Sequence, residues 1–122
     1  MKGSMEMSRK MALTAFDAME DKKAEDVCAI EIGEITTIAD YFVIGNGNSS
    51  SQVEAIIDNI KEKLYKEFSL EPKRVEGAKN GGWILLDYGD IVIHVFSKED
   101  RLFYDLERIW RDGKKLSREE LV

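Results

Sequence analysis

The sequence contains few of the residues from which several common functional sites are built. It has one cysteine, one proline and one histidine among 122 residues. A single cysteine excludes an intramolecular disulfide and a cysteine-rich zinc site, and a single histidine excludes a multi-histidine metal site. Cys28 lies in the apolar run 27–30, which indicates a small core residue rather than a nucleophile.

The sequence also lacks long apolar runs and a surplus of positive charge. No apolar stretch approaches the roughly 18 residues of a membrane span, and no signal-peptide pattern is present. We therefore expect a cytoplasmic protein with no membrane contact. The formal net charge is −6, which argues against direct, sequence-specific binding of nucleic acid, because such binding draws its affinity from Lys and Arg on phosphates.

What is present predicts one folded α/β domain. With 43% hydrophobic residues the chain can bury a core without a disulfide or metal. Helical periodicity predicts a helix from about Ser8 and a longer one that Ser49 and Gln52 cap. Strands are expected at 26–32 and 40–46, antiparallel to each other, and a short edge strand at 73–76. We expect a flexible leader at 1–7, the domain at 8–113 and a C-terminal tail at 114–122.

The most informative stretch is a hairpin followed by a helix. Two runs rich in β-branched and aromatic residues, 83–88 and 91–96, are separated by a short turn that contains Gly89, which is typical of a β-hairpin. Ser97 and Asp100 then indicate a helix start, with Leu102, Leu106 and Ile109 on one face. Together these elements predict a mixed sheet of about five strands flanked by helices.

Alternation along the hairpin assigns its side chains to two faces. If Tyr88 and Gly89 form the turn, Leu85 pairs with Val92 and Trp83 with His94. One face, which we call the aliphatic face, then carries Ile84, Leu86, Ile91, Ile93 and Val95. The other, the aromatic face, carries Trp83, Leu85, Asp87, Asp90, Val92, His94 and Phe96. Its mixture of large apolar and acidic groups is typical of a contact surface.

Two enzyme hypotheses can be built from the residues. The turn 45–50, glycine-rich and placed between a strand and a helix, could cradle a phosphate, but it has neither lysine nor arginine and matches no phosphate-binding motif. Together with Asp87 and Asp90 it is similar to a nucleotidyltransferase layout, in which paired carboxylates hold magnesium on a triphosphate. These aspartates flank a turn far along the chain from Ser49, so we interpret the pattern as fold similarity without the active site.

His94 has no recognisable nucleophile beside it. A buried, hydrogen-bonded histidine is the first interpretation, a histidine in a partner interface the second, and a general base the last.

Several motifs in one order resemble the Iojap family of ribosomal silencing factors. They are Asp40-Tyr41-Phe42-Val43-Ile44, Gly47-Asn48-Ser49, Val75-Glu76-Gly77, Trp83-x-Leu85-x-Asp87-Tyr88-Gly89-Asp90, His94-Val95-Phe96, and Arg101-x-Phe103-Tyr104-x-Leu106-Glu107-x-Ile109-Trp110. The resemblance covers nearly the whole domain, roughly 8–113.

The resemblance implies a non-enzymatic translation repressor without cofactor or metal. Such a factor binds the large ribosomal subunit through the ribosomal protein numbered fourteen, blocks association with the small subunit and lowers translation when nutrients are scarce. For this chain the aromatic face supplies the expected partner-binding residues, Trp83, Leu85, Asp87, Val92 and His94, with Glu76 beside them. The alternatives are the magnesium-dependent nucleotide enzyme described above and a homodimer formed through the hairpin face or a sheet edge.

Overall fold

The computed structural model describes residues 5–33, 38–77, 82–98 and 113–122. The elements, in chain order, are α1 (Met5–Asp21), β1 (Glu25–Glu31), β2 (Tyr41–Gly47), α2 (Ser50–Phe68), β3 (Arg74–Glu76), β4 (Trp83–Asp87), β5 (Ile91–Ser97), β6 (Lys114–Leu116) and α3 (Arg118–Leu121). The predicted helix after Ser97 lies outside the described residues.

The strands form one mixed sheet in the order β3-β4-β5-β2-β1-β6. The central neighbours β2 and β5 are parallel, while every other neighbouring pair is antiparallel. The predicted antiparallel pairing of β1 with β2 is confirmed, as is the edge position of β3. The sheet has six strands rather than about five, because the segment predicted as a tail contributes one.

The two long helices cover the aliphatic face of the sheet. The core on this side joins buried residues of α1, such as Phe16, and of α2, such as Ile60, to the aliphatic residues of β4 and β5. Ser49 caps α2 as predicted, since its hydroxyl oxygen accepts from the Gln52 amide at 3.1 Å. The Gln52 side chain accepts from the amide of Asn48 rather than that of Ser49.

The C-terminal segment belongs to the packed domain. Strand β6 pairs with β1, and Leu121 of α3 is buried in the core that α1 forms. Arg118 donates two hydrogen bonds to the Asp17 carboxylate of α1, at 2.6 and 3.1 Å. Strand β6 and helix α3, with three and four residues, are too short for hydrophobic periodicity to predict them. At the other end, α1 begins at Met5, inside the predicted leader.

The hairpin turn lies one residue later than predicted. Tyr88 donates its amide to the Ile91 carbonyl, so Gly89 and Asp90 are the turn residues. Gly89 has φ +88°, whereas Asp90 has no positive φ, and the Asp90 amide donates to the Tyr88 carbonyl oxygen across Gly89 at 3.2 Å. A positive φ favours glycine at this first turn position. The observed pairs are therefore Leu85 with His94 and Trp83 with Phe96. Because the register moves by two residues, each side chain keeps its predicted face.

Among the described residues, no helix is both long and apolar enough to cross a membrane.

Candidate partner-binding face

Strands β3, β4 and β5 place all six predicted partner-binding residues on one face of the sheet. Glu76 of β3 lies opposite Leu85 of β4, which lies opposite His94 of β5. The next row along the strands places Asp87 between Arg74 and Val92. Since directly opposed residues share a face, the structure joins these side chains into one surface.

Burial divides this face into a covered part and an open part. Val92 and His94 are 6% and 3% exposed. Val92 belongs to a second core with Phe42, Ile44 and other apolar residues, and the His94 ring lies 4.7 Å from the Phe42 ring. Trp83 and Leu85 pack against the margin of this core and stay half-buried. Trp83 and Leu85 are therefore partly accessible, whereas Val92 and His94, on the neighbouring strand, are covered.

His94 fixes the position of the Trp83 ring. The indole Nε1 donates to His94 Nδ1 at 3.1 Å, and the indole stacks on Phe96 with ring centroids 5.3 Å apart. An accepting Nδ1 requires the neutral imidazole with its proton on Nε2. Burial favours this form, because it lowers the pKa of His94 from 6.5 to about 4. The structure thus confirms the buried, hydrogen-bonded histidine.

Carboxylates and one arginine form the rim of the open part. Arg74 makes ion pairs of 3.2 Å with both Glu76 and Asp87, and Asp87 also accepts from the Gly89 amide at 2.8 Å. Between the rim and the indole lies a depression of about 170 Å³ lined by Glu76, Gly77, Trp83 and Leu85. We call it the Trp83 cavity. It offers an apolar wall, an aromatic ring and a negative rim within one small volume.

Two residues of this site, Gly77 and Arg74, are not among the residues predicted from the sequence to bind a partner. Gly77 has φ +102°, and a Cβ atom there would lie 2.2 Å from the Trp83 carbonyl oxygen, so only glycine lets β3 approach β4 at this point. Gly77 does stand in the motif Val75-Glu76-Gly77, which was the available signal. No local sequence pattern indicates Arg74, because its ion pair with Asp87 depends on the pairing of β3 with β4.

The residues of the nucleotide hypothesis are far apart. Asp87 pairs with Val92 of β5, and Val92 pairs with Phe42 near the start of β2. Ser49 instead follows Gly47, at the opposite end of β2. Five residues of strand separate these rows by roughly 17 Å. Among the residues that the structure describes, no group of three or more His, Cys, Asp or Glu side chains could hold a metal ion.

The turn before α2 already has hydrogen-bond partners within the protein. The Gln52 side chain accepts from the Asn48 amide at 2.6 Å and donates to the carbonyl oxygens of Lys22 and Lys23. Amides that a phosphate would need are thus already used.

Comparison with known proteins agrees with the motif resemblance. The family model described as "Ribosomal silencing factor during starvation", RsfS, matches residues 5–122. Proteins named ribosomal silencing factor RsfS are 41% identical in Halalkalibacterium halodurans, over 94% of this chain and 97% of that protein, and 43% identical in Bacillus subtilis, over 88% and 91%. A crystal structure of a Chromobacterium violaceum protein superposes with a TM-score of 0.78 at 32% identity, covering 88% of each chain. The chain therefore belongs to the RsfS family of ribosomal silencing factors.

Proposed function

We propose that this protein represses translation by binding the large ribosomal subunit and blocking its association with the small subunit. The partner is the ribosomal protein numbered fourteen, and the effect lowers translation when nutrients are limiting. Membership of the RsfS family and the names of the relatives support a role in silencing ribosomes. Occlusion requires a docking surface and no chemistry, which agrees with the separation of Asp87 from Ser49.

The observation that carries the proposal is the Trp83 cavity. Binding energy at protein interfaces concentrates in a few aromatic or arginine anchors surrounded by a rim that excludes water. Trp83 is such an anchor, since His94 and Phe96 hold its ring in one orientation before any partner arrives. A ring fixed in advance loses little conformational entropy on binding.

The charge of the rim favours a basic partner. A cationic side chain of the partner could lie over the indole, a favourable cation–π arrangement, with the Glu76 carboxylate beside it. Arg74 already holds Glu76 and Asp87 on the free protein, so a partner cation would share these carboxylates with it. Exposed ion pairs are weak; we therefore assign most of the affinity to the Trp83 cavity and the orientation to the rim.

Co-sedimentation with separated ribosomal subunits at low and high salt tests the proposal. The wild-type protein should migrate with the large subunit alone and inhibit subunit joining. Trp83→Ala should weaken binding by about 2 kcal/mol or more, a loss of roughly thirtyfold. Tyr65→Ala is the matched control, because Tyr65 is an aromatic residue of α2 that is 58% exposed and lies outside the site.

Glu76→Lys separates loss of the site from loss of the fold. Trp83 packs on Phe96, so its removal also destabilises the domain, whereas the Glu76 side chain is 55% exposed. Glu76→Lys should weaken binding and reduce its salt dependence while thermal stability stays close to wild type. Folded Trp83→Ala and Glu76→Lys proteins that bind as wild type would exclude this face. A folded wild-type protein that binds neither subunit would refute the function.

A further inference from the structure

A groove runs along the exposed side of α2, on the opposite side of the sheet from the Trp83 cavity. It consists of two hollows of about 480 and 470 Å³. The first lies where α2 passes the end of α1, and it is lined by Lys22, Ala55, Asp58, Asn59 and Glu62. The second lies where α2 ends, and it is lined by Lys61, Glu62, Tyr65, Leu70, Glu71 and Pro72. Glu62 belongs to both hollows, which together form one surface that we call the α2 groove.

Both hollows have a base that is fixed by contacts within the protein. At the first, the buried Asn59 side chain donates to the Ala18 carbonyl oxygen of α1 at 2.9 Å, which ties the two helices together. At the second, the Ser69 amide donates to the Tyr65 carbonyl oxygen at 2.8 Å, and Leu70 packs against the main core. A partner would therefore meet a surface that is formed before it binds, and little conformational entropy would be lost.

Each hollow contains more carboxylates than lysines. The first has Asp58 and Glu62 with one lysine, and the second has Glu62 and Glu71 with one lysine. None of these three carboxylates makes an ion pair with another residue that the structure describes, whereas Arg74 already pairs with the carboxylates at the rim of the Trp83 cavity. The α2 groove therefore keeps a negative charge that is complementary to a basic occupant.

The second hollow adds an exposed aromatic ring to these charges. Tyr65 is 58% exposed, and Leu70 and Pro72 place apolar surface beside it. Aromatic side chains are enriched at protein interfaces, whereas an acidic groove repels the phosphates of nucleic acid. An acidic groove with an apolar end fits a protein segment that is basic and carries an apolar residue.

The spacing of these groups along α2 matches one face of a second helix. Glu62 and Asp58 precede Tyr65 by about one and two helical turns, or roughly 5 and 11 Å. A helix that lies antiparallel along α2 presents the positions i, i+4 and i+7 in one row. An apolar side chain at i would contact Tyr65, and cationic side chains at i+4 and i+7 would then lie over Glu62 and Asp58.

We propose that the α2 groove binds a basic amphipathic helix of another protein, with an apolar side chain in the second hollow and cationic side chains over Glu62 and Asp58. Helix α2 covers the aliphatic face of the sheet, whereas the Trp83 cavity opens on the aromatic face. The protein can therefore hold this helix while its aromatic face is engaged. The proposal does not depend on the ribosomal function proposed above.

Fluorescence anisotropy with labelled alanine-based peptides of about 20 residues tests the proposal. The patterned peptide carries leucine at i and arginine at i+4 and i+7. The scrambled peptide has the same composition, but its arginines lie on the helix face opposite the leucine. The wild-type protein should bind the patterned peptide about tenfold or more tightly than the scrambled one. Equal binding of the two peptides would overturn the proposal, because it would show attraction by net charge alone.

Substitutions in the groove locate the binding site. Asp58→Lys and Tyr65→Ala should each weaken binding of the patterned peptide by about tenfold, and both should keep the wild-type circular dichroism spectrum because both side chains are exposed. Glu119→Lys is the matched control for Asp58→Lys, since it reverses an exposed charge on α3, outside the groove. It should change binding little, and a loss equal to that of Asp58→Lys would overturn the proposal.

Binding to the large subunit separates the α2 groove from the function proposed above. Tyr65→Ala should bind the large subunit as the wild type does, and folded Trp83→Ala should bind the patterned peptide as the wild type does. A wild-type protein that binds the patterned peptide but neither subunit would refute the function alone. Loss of large-subunit binding in Tyr65→Ala would make the ribosome the occupant of the groove. Self-association that Asp58→Lys weakens in sedimentation equilibrium would make a second copy the occupant, and either result would overturn the proposal.

Discussion

His94 makes the stability of the domain depend on pH between its unfolded pKa of 6.5 and its folded pKa of about 4. It is the only histidine in the chain, and burial lowers its pKa from 6.5 to about 4. Between these two values the unfolded chain binds a proton that the folded protein does not bind. The free energy of unfolding is therefore at its full value above the unfolded pKa, falls as the pH drops towards about 4, and levels off below it.

The size of the effect follows from the difference between the two pKa values. A shift of about 2.5 units corresponds to about 3 kcal/mol in total, and about 2 kcal/mol of this is lost between about pH 7 and about pH 5. The shift has a direct structural cause: the imidazole lies among the rings of Phe42, Trp83 and Phe96 and is 3% exposed. Protonating Nδ1 would also turn the acceptor of the Trp83 hydrogen bond into a second donor.

Urea unfolding of the wild type and His94→Gln at both pH values measures this term. Glutamine does not titrate, yet its carbonyl oxygen can still accept from the indole. We expect the wild type to lose about 2 kcal/mol and His94→Gln to lose little over the same interval. Carboxylates that begin to protonate affect both proteins equally and cancel in the difference. An equal loss in the two proteins would show that His94 is protonated in the folded state and would refute its assignment as the neutral acceptor.

Three further substitutions test packing elsewhere in the domain, each by urea unfolding. Gly77→Ala should destabilise the domain by about 1–3 kcal/mol, because the new Cβ atom would lie 2.2 Å from the Trp83 carbonyl oxygen. Gly89→Ala should destabilise it less, because the Cβ atom there would meet only the end of the flexible Lys73 side chain. Gln52→Ala removes the side chain that bridges the start of α2 to the turn after α1, and it should lower the free energy of unfolding by about 1–2 kcal/mol. An unchanged stability would mean that water replaces these hydrogen bonds. Leu121→Ala should lower the free energy of unfolding by about 2–5 kcal/mol if α3 is part of the core, whereas the 72% exposed Val122 should tolerate alanine. Equal effects of the two substitutions would contradict the packing of α3 in the core.

The faces of the hairpin could be predicted from the sequence, although its register could not. Alternation alone assigns Trp83 and Leu85 to one side and Ile84 and Leu86 to the other. The predicted turn placed Gly89 second, whereas the observed turn places it first, and every cross-strand pair therefore differs by two residues. Glycine accepts a positive φ in either position, so the sequence does not decide between the two turns.

The extent of the site depends on which strands lie beside the hairpin. Residues 28–30 and 41–47 are all buried, so the middle of β1 and the whole of β2 are covered on both faces, as expected of strands at the centre of a mixed sheet. Strand β5 lies against β2, and all of its residues from Ile91 to Phe96 are buried, so Val92 and His94 are covered although they lie on the aromatic face. Strand β4 instead lies beside the polar edge strand β3. The strand order brings together residues that are far apart in the chain, and no local sequence pattern predicts it.

The strand order also explains why the open surface lies at one edge of the sheet. A sheet whose central strands are buried on both faces exposes apolar surface only towards an edge, where burial ends. Here this happens between β3 and β4, where the rings of Trp83, His94 and Phe96 pass from buried to half-buried along one stacked row. Glu76 and Arg74, which form an ion pair of 3.2 Å at the margin of this surface, place charge directly beside the apolar part, so both parts of the site meet at the β3 edge.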